Sequence, residues 1–152
     1  MIKFLVLDVD GTLTDGKIYM SANGELMKAF NIKDGYALAH LRANGIEPVI
    51  ITGRESEIVA RRCEELNIRE LYQGVSDKVA CLTELCKKKG VTLRECAYMG
   101  DDLNDIDCMS LCGHKAAPAD AIQVVRDMAD YVCKSRGGEG AVREYCDYLI
   151  NK

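Results

Sequence analysis

Two acids one residue apart, Asp8 and Asp10, close the apolar run Phe4-Leu5-Val6-Leu7. In an extended strand alternate side chains share a face, so both carboxylates can point the same way as the chain leaves a sheet. Gly11 follows and lets the backbone turn sharply. A short run that is apolar at every position reads as a strand buried on both faces. The carboxyl ends of such strands are where open α/β sheets place their ligands. Two later apolar stretches end in the same fashion, residues 48–51 at Thr52-Gly53-Arg54 and residues 96–99 at Gly100-Asp101-Asp102. Lys78 opens a helix between them.

These side chains share one chemistry. Asp8, Asp10 and Asp101 supply hard oxygen ligands of the kind Mg²⁺ takes, one or two carboxylates with room left for water and a phosphate oxygen. A hydroxyl and an ammonium, Thr52 and Lys78, suit the remaining phosphate oxygens. With a divalent cation and Lys78 nearby, a carboxylate stays ionised at neutral pH. It can then attack phosphorus in line and form an aspartyl-phosphate. A second acid two residues on can protonate the leaving alkoxide and later take a proton from water.

The elements that must position these groups alternate along the chain. A hairpin is expected over residues 17–30, from runs at 17–20 and 25–30 around Asn23-Gly24. Apolar side chains sit on both of its parities, Ile18, Met20, Leu26 and Phe30 on one, Tyr19, Met27 and Ala29 on the other. That pattern predicts a second subunit over one face. Residues 31–35 read as a polar loop, with Asp34 capping a helix over 36–44 that Gly45 ends. Helices are further expected over 55–67, 78–89, about 120–128 and from Gly140 to 150. Short strands are expected at 70–72, 115–117 and 131–133. Strand and helix alternating in this way give a parallel sheet with helices on both faces, a Rossmann-like three-layer α/β/α sandwich.

With 152 residues the chain has the length of one domain, residues 1–152. Its 48% apolar and 29% charged residues are those of a globular protein. A net charge of −4 argues against a general nucleic-acid binder. No apolar run approaches the ~20 residues of a membrane span, and the N-terminus lacks a signal-peptide layout. Among the eight cysteines, Cys63, Cys86 and Cys146 fall on apolar helix stripes, and none has C-x-x-C spacing. A reducing cytoplasmic setting is expected. Lys87-Lys88-Lys89 reads as a solvated helix end, and His40 and His114 as structural. The three glycines within Arg136–Gly140 suit anion contact or a mobile segment.

Asp8-Val-Asp10-Gly-Thr, Thr52-Gly, Lys78 and Gly100-Asp101-Asp102 resemble, in order and spacing, the four motifs of the haloacid dehalogenase superfamily. The resemblance implies Asp8 as nucleophile and metal ligand, and Asp10 as general acid/base with its backbone carbonyl on the metal. It further implies Thr52 and Lys78 on the phosphoryl group and Asp101 completing a Mg²⁺ site. About 40 residues separate the first two motifs, room for the hairpin and one helix but for no cap domain. A phosphoryl site left open to water is poorly selective, so the lid is expected from another subunit.

The capless Kdo 8-phosphate (3-deoxy-D-manno-octulosonate 8-phosphate) phosphatases are similar in this respect. They share Phe30-Asn-x-x-Asp-Gly35, Thr52-Gly-Arg54, Gly100-Asp-Asp-Leu-x-Asp105 and the tail from Arg136 to Glu144. This resemblance implies a homotetramer, and substrate contacts from Asp10, Asn31, Ile32, Lys33, Asp34, Gly35, Arg54, Arg62, Lys78 and Asn104. A guanidinium such as Arg54 or Arg62 suits the carboxylate of a sugar acid. Members preferring nine-carbon acids tend to carry Glu at the place of Arg54, so Arg54 favours the eight-carbon ester over a nonulosonate 9-phosphate. In several eight-carbon members a basic residue stands where this chain has Ala39. A non-catalytic oligomeric sensor of the same fold is the reading from another class; the intact acid/base set argues against it.

Overall fold

A computed structural model describes residues 1–152. Six parallel strands form one sheet in the order β5-β4-β1-β6-β7-β8. They are β1 (Phe4–Leu7), β4 (Glu47–Ile51), β5 (Glu70–Tyr72), β6 (Cys96–Met99), β7 (His114–Ala117) and β8 (Tyr131–Val132). The hairpin strands β2 (Tyr19–Ser21) and β3 (Gly24–Met27) pair only with each other. Six helices complete the fold: α1 (Ile32–His40), α2 (Glu57–Glu65), α3 (Lys78–Lys89), α4 (Ile106–Leu111), α5 (Gln123–Met128) and α6 (Ala141–Asn151).

β1 shows why the central strand has no polar residue. Leu5 and Leu7 face a core shared with Leu38 of α1, Val59 and Cys63 of α2, and Val142, Tyr145 and Cys146 of α6. Phe4 and Val6 face the opposite core, with Leu82, Leu85 and Cys86 of α3, Met109 of α4 and Val125 of α5. A strand sandwiched between two helix layers is therefore apolar at both parities. The expected three-layer sandwich is the observed one, and Cys63, Cys86 and Cys146 are buried in its cores.

Three local expectations are corrected. Residues 31–35 are not a loop: α1 begins at Ile32, and its cap is Asn31, whose side-chain oxygen accepts from the backbone N–H of Lys33 at 2.8 Å and Asp34 at 3.4 Å. Asp34 lies inside the first turn, buried, and accepts from the backbone N–H of Arg143 at 2.8 Å. The earlier of two possible cap residues wins because Asp34 is engaged by α6. The same helix stops at His40, and residues 41–44 tighten into a 3₁₀ turn before Gly45.

The hairpin turns over Ala22 and Asn23 rather than Asn23 and Gly24, and its strands are shorter than 17–20 and 25–30. Ser21 Oγ accepts from the Asn23 N–H and donates to the Gly24 carbonyl, closing the turn one residue early.

The glycines near Arg136–Gly140 serve backbone packing. A Cβ on Gly137 would meet the Gly11 carbonyl oxygen at 2.0 Å, and one on Gly138 the Asp15 nitrogen at 2.5 Å. The Gly138 N–H also donates to the Thr12 carbonyl at 3.3 Å. This segment is laid against the loop that carries Asp10.

Candidate active site

The chain leaves β1 one way to build β4 and β5, then crosses back to place β6 on the other side. β1 is thus flanked in register by β4 (Leu7 opposite Ile50) and β6 (Leu7 opposite Met99). The three strands end together, so Thr52, Asp8 and Asp101 meet at the switch point of the sheet. After Asp8 the backbone winds tightly: the N–H groups of Thr12, Leu13 and Thr14 all reach the Val9 carbonyl at 2.9–3.1 Å. Thr14 Oγ1 accepts from the N–H of Gly11 and Gly16. Gly11 sits at φ +88°, and a Cβ there would fall 1.8 Å from Asp101 Oδ2. Only glycine lets the two acidic loops approach this closely.

Asp8, Asp10, Thr52, Gly53, Arg54, Asp101, Asp102 and Asn104 line one cleft of about 170 Å³ with no apolar wall. Lys78, the first residue of α3, lies beneath it, 3.2 Å from Asp8 Oδ1 and 2.9 Å from Asp105 Oδ1. The catalytic and metal-binding residues expected from sequence are thereby brought together. Asn31 to Gly35 and Arg62 are not in this cleft. Arg62 and Ile32 line a neighbouring depression with Lys28 and Phe30, where the Arg62 guanidinium lies 5.5 Å from the Phe30 ring centre.

Asp105, the last residue of the Gly100–Asp105 motif, organises the floor. It is fully buried. One oxygen accepts from Lys78 at 2.9 Å and from the Tyr98 hydroxyl at 2.7 Å; the other accepts from the N–H groups of Asp101 at 3.0 Å and Asp102 at 3.3 Å. The signal available in sequence was the four-residue spacing from Asp101, which lets a side chain reach back to cap that loop.

Asp8, Asp101 and Asp105 each offer a carboxylate oxygen within 4.8 Å of the other two. With both its oxygens engaged, Asp105 is a strut and not a ligand. Asp101 Oδ1 differs: it is buried and has no partner. Burial, then the charges of Asp8, Asp105 and Asp102, push the Asp101 carboxyl up to about 8. Burial and Asp105 push Asp8 up to about 6, against the pull of Lys78. For Lys78 burial disfavours the charge, but Asp8 and Asp105 outweigh it and raise its pKa. An orphaned carboxylate oxygen among crowded anions, with oxygen donors only, is what a hard divalent cation fits.

This fold and this arrangement of acids define a haloacid dehalogenase-like hydrolase, and residues 64–144 match that family. A 3-deoxy-D-manno-octulosonate 8-phosphate phosphatase from Escherichia coli strain K12 is 47% identical over 149 residues, covering 98% of this chain and 79% of the relative. The corresponding Moraxella catarrhalis enzyme, solved with magnesium, phosphate and KDO, superposes with a TM-score of 0.94 at 41% identity, over 99% of this chain and 86% of that one. The cobalt-bound Haemophilus influenzae enzyme gives 0.95 at 39% identity, over 99% and 88%. The chain belongs to the 3-deoxy-D-manno-octulosonate 8-phosphate phosphatase family.

Proposed function

We propose that this protein removes the phosphate from Kdo 8-phosphate, with Mg²⁺ held by Asp8, Asp101 and the backbone carbonyl of Asp10. The observation that carries the reading is the buried, unpartnered Asp101 oxygen beside a cleft lined by Asp8, Asp10, Thr52 and Asp101 itself. When bound, the cation would supply positive charge to the transferring phosphoryl oxygens and relieve the crowding of the acids.

Asp8 attacks phosphorus; Lys78 holds its Oδ1, and no side chain engages its other oxygen. The Asp8–phosphorus bond forms as the bond to the sugar oxygen breaks, and Asp10 gives that oxygen its proton. A water then attacks phosphorus, Asp10 takes the water's proton, and Asp8 is released. Thr52 and Lys78 orient the phosphoryl oxygens, and Arg54 and Asn104, on the cleft rim, are assigned to the sugar acid.

Four apolar side chains of the hairpin lie open, Ile18, Met20, Leu26 and Met27, with Met20 at 66% exposure. This supports a homotetramer in which neighbouring hairpins cover one another and close the cleft. Asn31, Ile32, Lys33 and Arg62 are assigned to the carboxylate end of the substrate in a site completed by that assembly, whereas Asp34 and Gly35, expected from sequence to touch it, are buried and hold the start of α1 in place. Residues 1–152 act as one catalytic domain in this reading. No helix is long and apolar enough to cross a membrane, and seven of the eight cysteines are buried and all are free. We place the enzyme in a reducing cytoplasm.

Phosphate release from Kdo 8-phosphate and from a nonulosonate 9-phosphate, each with Mg²⁺, tests the reading; the eight-carbon ester should have the higher kcat/KM. Turnover of neither ester would remove the substrate assignment, and preference for the longer acid would reverse it.

Asp101 also ties stability to pH. Its carboxyl sits near 8 in the folded protein against an ordinary 3.8. Without a cation the folded chain therefore holds a proton that the unfolded chain has lost. That contribution to stability is complete below about pH 4 and is lost as pH rises through about 8. In EDTA at pH 8.5, Asp101→Asn should melt above the wild type. Mg²⁺ should raise the wild-type melting temperature and leave that of the variant unchanged. Equal responses of the two proteins to Mg²⁺ would take Asp101 out of the metal site.

A further inference from the structure

We propose that Lys28, on the hairpin, is a positioning residue for Asp10: it holds one carboxylate oxygen so that the other faces the leaving group. The inference rests on the phosphatase reading above. Lys28 follows β3, on an element whose neighbouring apolar side chains are open to water, yet its own side chain is only 3% exposed. Its ammonium lies 2.8 Å from Asp10 Oδ1 and 3.0 Å from Glu25 Oε2. It is the one side chain bonded to Asp10.

Glu25 is itself held, by the Ser56 hydroxyl at 2.5 Å, and the Ser56 N–H donates to Gln73 Oε1 at 2.9 Å. The chain Asp10–Lys28–Glu25–Ser56–Gln73 thus ties the hairpin to the loops that follow β1, β4 and β5. A lysine confined in this way loses rotamer freedom, and its desolvated ammonium needs both carboxylates. A solvated lysine would do as well if the hairpin only needed anchoring at its base. Asp10 lies on a turning loop and has to meet the leaving oxygen within a fraction of an ångström; a 1 Å error costs about 100-fold in rate.

Two esters separate positioning of Asp10 from mere pinning of the hairpin. A sugar alkoxide leaves only with a proton, whereas p-nitrophenolate leaves without one. The bond-breaking step on p-nitrophenyl phosphate therefore needs Asp10 little. In Lys28→Met, kcat on Kdo 8-phosphate should fall about 10- to 100-fold with KM within about threefold. The pre-steady-state burst of nitrophenolate should keep its rate within about threefold. Lys28→Arg, which can still bridge Asp10 and Glu25, should recover much of the lost kcat.

Equal losses of burst rate and sugar-ester turnover would overturn the proposal in favour of a pinning role, and so would unchanged kcat in Lys28→Met. A wild-type protein inactive on both esters would remove the phosphatase reading and this inference with it. Normal wild-type activity with an unaffected variant would remove the inference alone.

Discussion

Asp8→Asn should lose turnover by about 10⁴-fold or more, some 5.4 kcal/mol of barrier, while the fold persists. The amide keeps the volume of a side chain that is only 5% exposed, but it has no charge with which to attack phosphorus. Lys78 retains Asp105 at 2.9 Å when Asp8 is neutral, so its ammonium is not orphaned. Asp8 is also one of the crowded anions, held up to about 6 by burial and by Asp105. Neutralising it relieves that crowding, and in EDTA near neutral pH the variant should melt no lower than the wild type. Phosphate release and a melting curve on the same preparation check both halves. Activity within tenfold of wild type would end the nucleophile assignment.

Asp105→Ala should have the largest effect on stability. Four donors converge on this carboxylate: the Lys78 ammonium, the Tyr98 hydroxyl and two backbone N–H groups. Lys78, Tyr98 and the carboxylate itself are buried. Removing the acceptor leaves a buried charge half-paired and a hydroxyl unsatisfied, which costs about 3–5 kcal/mol. Asp105→Asn keeps one accepting oxygen and should cost less. Both variants loosen the Asp101 loop, so the Mg²⁺ concentration giving half-maximal rate should rise in Asp105→Asn. Denaturant unfolding and a Mg²⁺ titration measure the two effects. An Asp105→Ala protein as stable as wild type would show that the four donors find other partners.

The parts of this fold legible in sequence were those written in short-range pattern. β1, β4 and β6 are four or five residues long and apolar throughout or nearly so; β1 runs into Asp8 and β4 into Thr52, each with a glycine within three positions, and β6 runs into Gly100-Asp101. The polar residues that follow these strands line the cleft, so the strand pattern locates Asp8, Thr52 and Asp101. Other features depended on partners distant in sequence. Asp34 has the side chain of a cap, but Arg143 of α6, 109 positions away, holds it. Lys28 reads as one more hairpin lysine because its contact with Asp10 spans 18 positions and exists only once the hairpin folds over. Asp105 sat in plain view within a motif, but its four bonds need β6, α3 and the Asp101 loop in place together.

The fit between Gly137–Gly138 and the loop from Gly11 to Asp15 carries a consequence for biosynthesis. The segment that packs against that loop emerges from the ribosome more than 120 residues after it. The surroundings of Asp8 are therefore finished by a segment distant in sequence. A ribosome-bound chain stopped before residue 137 can form its early strands and still lack the backing that fixes this turn. Competence should arrive abruptly once residue 138 has emerged, not in proportion to length.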